Sequence, residues 1–215
     1  MKTFVPHTLD TLALDTELNE LDAFLSSTSH RKERAEIAPF FKARRNLCVG
    51  LSLMNAAVET PDRVATELDL FGDFVCDVAS GDSDANAYTL VEFEDAQEHS
   101  VFARLAPGKS VKRWSQRFER GFSQLIDWAW RLSTEGDSSD AFRRIFGDVH
   151  PTVHFLLIAG RDSDLTKDDL ARLRWRANHV ALGAFRVSCL TFDRVLTSLR
   201  RRVSIAAAMR FREPG

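Results

Sequence analysis

Leucine and phenylalanine recur at helical spacing through the first part of the chain. Between residues 8 and 29 the apolar positions fall three or four apart, which predicts an amphipathic helix. The polar run Ser26–Ser29 interrupts this pattern and supplies possible N-caps for a following helix. That second helix is predicted over residues 30–57, kinked or interrupted at Pro39, and Pro61 marks the next boundary.

From Glu67 onward the apolar runs become shorter, as in the strands of a buried sheet. Residues 68–79 and 87–94 flank the turn signal Ser80–Asp84, so they are predicted to form an antiparallel pair. Helices and strands then alternate to the end of the chain. The further predicted elements are a helix over 112–132, a loop over 136–139, a strand over 153–159, a helix capped by Thr166 and running to 179, a strand over 185–192, a helix over 193–204 and a frayed tail after 210.

Alternating elements of this kind indicate an α/β fold with a mixed central sheet flanked by helices. The length of 215 residues suits one large domain or a core domain with an extension. We therefore predict an N-terminal helical region at 1–62, an α/β core at 63–208 and a tail at 209–215.

The strand predicted around Glu92 carries acids within an apolar run. Leu90, Val91 and Phe93 are apolar, whereas Glu92 and Glu94 lie two apart and would point to the same face. Carboxylates are rarely buried unless they are paired, protonated or bound to a metal. An exposed edge hairpin with its acids in water is the alternative, although the apolar residues around both glutamates disfavour it.

The preceding strand adds further acids to the same surface. Asp77 would lie beside Glu92 if the two strands pair, and Asp73 would share the face of Asp77. Asp95 would point to the opposite face and is interpreted as a strand-end residue. Several ionised carboxylates on one face repel one another unless a cation lies between them. Oxygen ligands of this kind suit Mg²⁺ or Mn²⁺, which can polarise a phosphate and activate water.

The helix predicted over 112–132 carries polar groups that could complete such a site. Arg117, Arg120 and Gln124 are three and four apart and therefore share one side of the helix. The arginines could pair with backbone phosphates, and the amide could hold a water molecule or a metal-bound carboxylate. An ordinary surface amide is the alternative interpretation of Gln124.

Composition narrows the class of protein. The chain is 44% hydrophobic and 28% charged, which is typical of a globular protein. Its formal net charge of −2 gives no global basic field, so any binding of nucleic acid would depend on local clusters of cations. Three widely separated cysteines without a CxxC pair argue against a structural zinc site. Since neither a signal peptide nor an apolar run of membrane-spanning length is recognisable, a cytoplasmic protein without membrane contacts is expected.

Taken as a set, these motifs resemble the PD-(D/E)xK nuclease core, in which an acid on one strand precedes a Glu-x-Lys pair on the next strand and a helix. More narrowly, several segments are similar to the nuclease domain of Shedu-type anti-phage defence proteins, and the resemblance covers about residues 30–205. The segments are Leu90–Ala96, Phe102, Trp114–Phe118, Gly121–Trp128, Phe155–Arg161 and Leu190–Asp193.

The resemblance implies roles for individual residues. Asp77 and Glu92 would be ligands of Mg²⁺ or Mn²⁺, and Gln124 would match the helix glutamine of the family. An upstream helical acid often joins such sites, and Glu36, or less favourably Glu33, is the candidate.

One position departs from the family pattern, because Glu94 stands where lysine is usual. A glutamate cannot stabilise negative charge on phosphate, but it could act as a general base or as a further metal ligand. Lys109 or Lys112 could supply a cation from the following loop.

These residues leave three functions open. The favoured one is a metal-dependent nuclease that hydrolyses phosphodiester bonds in DNA during bacterial anti-phage defence. The second is a catalytically inactive module of nuclease fold that binds nucleic acid or a partner protein, which Glu94 favours. The third is a purely structural interaction protein. The resemblance also implies a homo-oligomer, for which the N-terminal helices are the expected contact.

Overall fold

The fold is built on one six-stranded sheet. A computed structural model describes residues 2–28, 30–135, 139–147 and 150–210, with side chains as far as residue 205. The strands follow chain order from one edge of the sheet to the other. They are β1 (Val5–Pro6), β2 (Arg63–Leu70), β3 (Phe74–Asp82), β4 (Ala87–Phe93), β5 (Thr152–Ile158) and β6 (Arg186–Leu190).

Within the described residues, seven α-helices flank this sheet. A π-helical turn at Glu33–Ile37 and two 3₁₀ turns, at Leu51–Met54 and Asp162–Asp164, complete the regular elements. The predicted α/β fold with a mixed, helix-flanked sheet is confirmed. The helices are α1 (Thr11–Ser26), α2 (Ala38–Lys42), α3 (Arg45–Gly50), α4 (Gln116–Glu135), α5 (Asp140–Phe146), α6 (Lys167–His179) and α7 (Phe192–Arg210).

The direction of strand pairing changes at β4. This strand is antiparallel to β3 and parallel to β5, which is in turn parallel to β6. The carboxyl ends of β4, β5 and β6 therefore meet at one edge of the sheet. Open sheets of this type bind their ligands at such an edge, which makes the end of β4 the first place to look for a site.

Helices cover both faces of the sheet. On one face α4, α5 and α6 pack against the strands through a core that contains Trp128, Phe142 and Leu173. On the other face α1, α2, α3 and α7 surround a second core that contains Phe41 and Phe192. Because both faces are covered, all seven residues of β4 are buried, Glu92 among them.

Local sequence signals explain where several helices begin. The Asp10 side chain accepts hydrogen bonds from the Leu12 and Ala13 N–H groups and caps α1. Thr166 and Asp169 form a reciprocal capping box at the start of α6, as predicted. The predicted helix over 112–132 is confirmed as α4, although it begins four residues later.

Two predictions about the first half of the chain are wrong. The single helix expected over 30–57 is divided into the π-helical turn, α2, α3 and a 3₁₀ turn, and Pro39 lies in the first turn of α2. The apolar run 68–79 is not one strand, because Phe71 and Gly72 adopt positive φ and form the turn between β2 and β3. Its apolar residues on both sides of Gly72 and Asp73 made these two strands look like one.

Some predicted features lie at the limits of the described residues. Residues 136–138 of the loop predicted over 136–139, and the tail after 210, lie outside them. No helix in the described part of the chain is both long and apolar enough to cross a membrane.

Candidate active site

The candidate site lies where β3 and β4 separate. Their register runs as far as the pair Val78 and Val91, and the next residues on the two strands are Asp77 and Glu92. The Phe93 N–H donates a hydrogen bond of 2.8 Å to Asp77 Oδ2. An aspartate side chain therefore takes the place of a backbone acceptor at this point, which fixes the Asp77 carboxylate beside Glu92.

Glu92 is the most strongly perturbed acid of the site. Its side chain shares a strand face with Tyr88 and Leu90, and only 5% of the residue is exposed. Burial, reinforced by repulsion from Asp77, Glu33 and Glu94, raises the pKa of Glu92 to about 10. In the metal-free protein this carboxyl group is therefore neutral at physiological pH.

Asp77 and Glu94 show the same effect to a smaller degree. Burial raises the pKa of Asp77 to about 6, although the hydrogen bond from Phe93 opposes the rise. Burial also raises the pKa of Glu94 to about 7, with repulsion from Glu33 adding to it and Arg117 and Arg120 opposing it. Clusters of acids with raised pKa values are typical of functional sites.

Glu33 joins the cluster from the N-terminal part of the chain. Arg31 and Ala96 exchange two backbone hydrogen bonds of 2.9 Å, and the Glu33 N–H donates to Asp95 Oδ1 at 2.7 Å. These bonds hold the start of the π-helical turn against the end of β4. Burial raises the pKa of the Glu33 carboxyl group, and its charge acts on Asp77, Glu92 and Glu94.

Glu36, the favoured upstream acid, has a different set of contacts. Its carboxylate pairs with Arg31 at 2.5 Å and accepts a hydrogen bond of 2.9 Å from the Lys32 N–H. These bonds lower the pKa of Glu36, the one from the Lys32 backbone most strongly. The structure therefore brings Glu33, and not Glu36, into the acidic cluster.

Helix α4 covers the cluster and contributes its polar side. Gly121 lies so close to β4 that an added Cβ would be 3.1 Å from Glu94 Oε1 and 2.8 Å from Leu157 Cδ1. One turn earlier, Arg117 Nη1 lies 2.9 Å from Asp95 Oδ2 and 3.7 Å from Glu94 Oε2. One turn later, Gln124 Oε1 is buried without a hydrogen-bond partner in the described structure.

Asp73 and the loop lysines lie elsewhere. Asp73 belongs to the turn between β2 and β3, where its carboxylate pairs with Arg131 at 2.8 Å. Lys112 pairs with Asp169 of α6 at 2.6 Å, and Lys109 is exposed in the loop before α4. The structure therefore does not gather Asp73 or Lys112 around Glu92.

An open cavity of about 620 Å³ adjoins the N-terminal end of α4. It is lined by His99, Ser115, Gln116, Arg117 and Arg120, so all five lining residues are polar and two of them are cationic. Arg117 also contacts Glu94, which places the cavity directly beside the acidic cluster. The combination of acids below and arginines above can receive a phosphate group together with a cation.

Sequence reasoning missed two organising residues. Asp95, which the sequence places at the end of a strand, is buried and accepts hydrogen bonds from the Glu33 N–H and the Gln97 side chain. Gly121 carried a signal, because a glycine in the middle of an amphipathic helix usually marks close packing. No comparable local signal distinguished Glu33 from Glu36.

The carboxylate and amide oxygens of the site are the types of ligand that a hard divalent cation prefers. Among the described residues, no three Asp, Glu, His or Cys side chains already stand in metal-binding geometry. Repulsion from Asp77 and Glu33 nevertheless adds to burial in raising the pKa of Glu92, and within the described structure the amide oxygen of Gln124 has no hydrogen-bond partner. Mg²⁺ or Mn²⁺ prefers oxygen ligands of these two types, and its charge would relieve the repulsion.

Comparison with known proteins adds one finding. A family model described as Shedu protein SduA, C-terminal, matches residues 30–196 of the chain. The match covers most of the chain and includes the acidic cluster together with α4. None of the curated proteins compared with the chain matches it.

Proposed function

Because the chain belongs to the family of Shedu SduA C-terminal domains, a family of anti-phage defence, we propose that it is a metal-dependent nuclease that hydrolyses phosphodiester bonds in DNA. The observation that supports this most is the group formed by Asp77 and the buried Glu92 and Glu94, whose pKa values are all raised, beside a cavity lined in part by two arginines. A purely structural protein has no need to bury several repelling acids at a strand end.

In this function Asp77 and Glu92 hold Mg²⁺ or Mn²⁺, with Glu33 as a further ligand and the free amide oxygen of Gln124 available to the ion or its water. A bound divalent ion would supply Lewis acidity toward phosphate and lower the pKa of a coordinated water molecule. The chain itself holds the acids in place. The bond from Phe93 orients Asp77, and the pairing of Arg31 with Ala96 keeps Glu33 beside β4.

Glu94 acts as the base in this arrangement. Its pKa of about 7 allows it both to be ionised and to accept a proton near neutral pH. It is buried beneath Gly121 and paired with Arg117, so its carboxylate is held rather than solvated. A glutamate at this position is therefore compatible with hydrolysis even though it brings no positive charge.

A second candidate function is a module of the same fold that binds nucleic acid or a partner protein without cutting. It is favoured by the absence of ready-made metal geometry among the described residues and by the acid at position 94. Metal binding separates the two functions, because only the nuclease requires an ion at Asp77 and Glu92.

We expect the protein to cleave double-stranded DNA in the presence of Mg²⁺ or Mn²⁺ and not in EDTA. Gel analysis of circular and linear DNA measures this, and titration calorimetry with Mn²⁺ measures metal binding independently. Heat of binding together with cleavage supports the nuclease. DNA binding by fluorescence anisotropy, with neither Mn²⁺ heat nor cleavage, would instead identify the binding module.

Glu33→Gln should weaken Mn²⁺ binding and slow cleavage by about tenfold to one hundredfold, since it removes one anionic oxygen donor from the cluster. Glu36→Gln is the matched control, because it makes the same chemical change three residues away, where the carboxylate pairs with Arg31. Calorimetry and cleavage rates should leave Glu36→Gln close to the wild type. Equal losses in both variants would show that the segment matters only for folding.

A further inference from the structure

Two arginines of α4 line the cavity, but they differ in what they contact. Arg117 is already ion-paired within the protein, because its guanidinium pairs with Asp95 and approaches Glu94. Arg120 lines the same cavity and is exposed, and its guanidinium makes no hydrogen bond or ion pair with any residue in the described part of the chain. The cavity therefore contains one arginine that is already occupied and one that is available.

The position of Arg120 relative to the acids is defined by the packing of α4. Gly121, the next residue, lies against Glu94, which directly follows β4, and Gln124 follows one turn later on the same side of the helix. The charge of Arg120 accordingly acts on Glu33, Glu92 and Glu94 together. A group bound between the cavity and the acids would lie within reach of this guanidinium.

Hydrolysis of a phosphodiester requires positive charge at that place. A water oxygen forms a new bond to phosphorus, the bond from phosphorus to one sugar oxygen breaks, the water proton passes to Glu94, and the departing oxygen takes a proton from solvent. Negative charge builds on the non-bridging oxygens and on the departing oxygen as this happens. A preorganised guanidinium that donates two hydrogen bonds stabilises such charge, and the surrounding acids cannot.

We propose that Arg120 is a catalytic residue that contacts the phosphate under attack from the cavity side, opposite the carboxylates of β4. Arg120 supplies from helix α4 the positive charge that a lysine at position 94 would otherwise bring, and that Glu94 lacks. This role rests on the proposed nuclease activity. Arg117, which is held by Asp95 and Glu94, is a positioning residue.

The test compares Arg120→Ala and Arg120→Lys with Arg201→Ala, a control at an exposed arginine of α7. Single-turnover cleavage of a labelled DNA duplex with saturating Mn²⁺ should slow about one hundredfold or more in Arg120→Ala. Arg120→Lys should be intermediate, because lysine keeps the charge and loses the two-pronged contact. The KM for DNA should change far less than kcat. Guanidinium chloride at millimolar concentration should restore part of the rate to Arg120→Ala alone.

DNA binding without metal gives a readout that does not depend on activity. One lost phosphate contact should reduce the slope of log affinity against log salt by about 0.9 in Arg120→Ala, and Arg201→Ala should keep the wild-type slope. Wild-type cleavage and salt slope in Arg120→Ala would overturn the role of Arg120. If the wild type itself does not cleave, the nuclease function has failed, and an unchanged slope would then also exclude a phosphate contact.

Discussion

Replacing Glu92 by glutamine should abolish metal-dependent cleavage of DNA. Glutamine keeps the shape of the side chain but removes the anionic oxygen that would hold Mg²⁺ or Mn²⁺. Metal ions contribute several kcal/mol to the stabilisation of the transition state, and about 4 kcal/mol corresponds to about a thousandfold in rate. We therefore expect a loss of at least about a thousandfold in single-turnover rate, together with loss of Mn²⁺ heat in calorimetry.

The same substitution should stabilise the metal-free protein. The pKa of Glu92 is raised to about 10 in the folded state from its ordinary value of 4.5, so folding favours its neutral form. Stability is then highest below the unfolded pKa and declines as pH rises toward the folded value. Glutamine cannot ionise and escapes this penalty. We expect Glu92→Gln to unfold at a temperature roughly 5 °C higher than the wild type in EDTA at pH 8, and the difference should vanish near pH 4.

Opposite signs for activity and stability distinguish a site residue from a residue of the core. Glu98→Gln is the matched control, because Glu98 lies in the loop that follows β4 and its side chain is 60% exposed. It should alter neither cleavage nor melting temperature. A Glu92→Gln protein that melts lower than the wild type and still cleaves DNA would show that Glu92 is structural.

The strands of the site were predictable because their signals are local. Glu92 and Glu94 alternate with apolar residues, and the turn between β3 and β4 fixes which residues of the two strands face each other. That pairing was enough to place Asp77 beside Glu92. The helix after the strands was equally predictable from its apolar stripe. The spacing of Arg117, Arg120 and Gln124 then placed these three residues on one side of the helix.

The upstream acid, in contrast, was not predictable, because no local signal identifies it. Glu33 and Glu36 are three apart, so a helical pattern cannot separate them. The choice depends on the bridge between Arg31 and Ala96 and on the bond from the Glu33 N–H to Asp95, which join segments about sixty residues apart. Contacts between residues so far apart in the sequence cannot be predicted from the spacing of apolar and polar residues. The same holds for the pairing of Lys112 with Asp169.

Gly121 shows how one residue without a side chain sets the geometry of the whole site. It packs against Glu94, just after β4, and against Leu157 of β5, and both of these residues are fully or almost fully buried. On the same helix, Arg117 contacts Asp95 and Glu94. An added Cβ would lie 2.8 Å from Leu157 Cδ1 and 3.1 Å from Glu94 Oε1, so these buried side chains would have to move, and a larger branched side chain would require a greater displacement.

Gly121→Val should therefore destabilise the fold by about 2–4 kcal/mol and remove cleavage. Helix propensity alone predicts the opposite sign, because valine is a slightly better helix former than glycine. Ser123→Val is the matched control, since Ser123 is exposed on the same helix and its hydroxyl donates to the Glu119 carbonyl one turn earlier. Urea unfolding should give a lower midpoint for Gly121→Val and a nearly unchanged one for Ser123→Val. A stabilised Gly121→Val protein that retains cleavage would mean that α4 tolerates displacement, and the close contact with Glu94 would then not determine the position of the arginines.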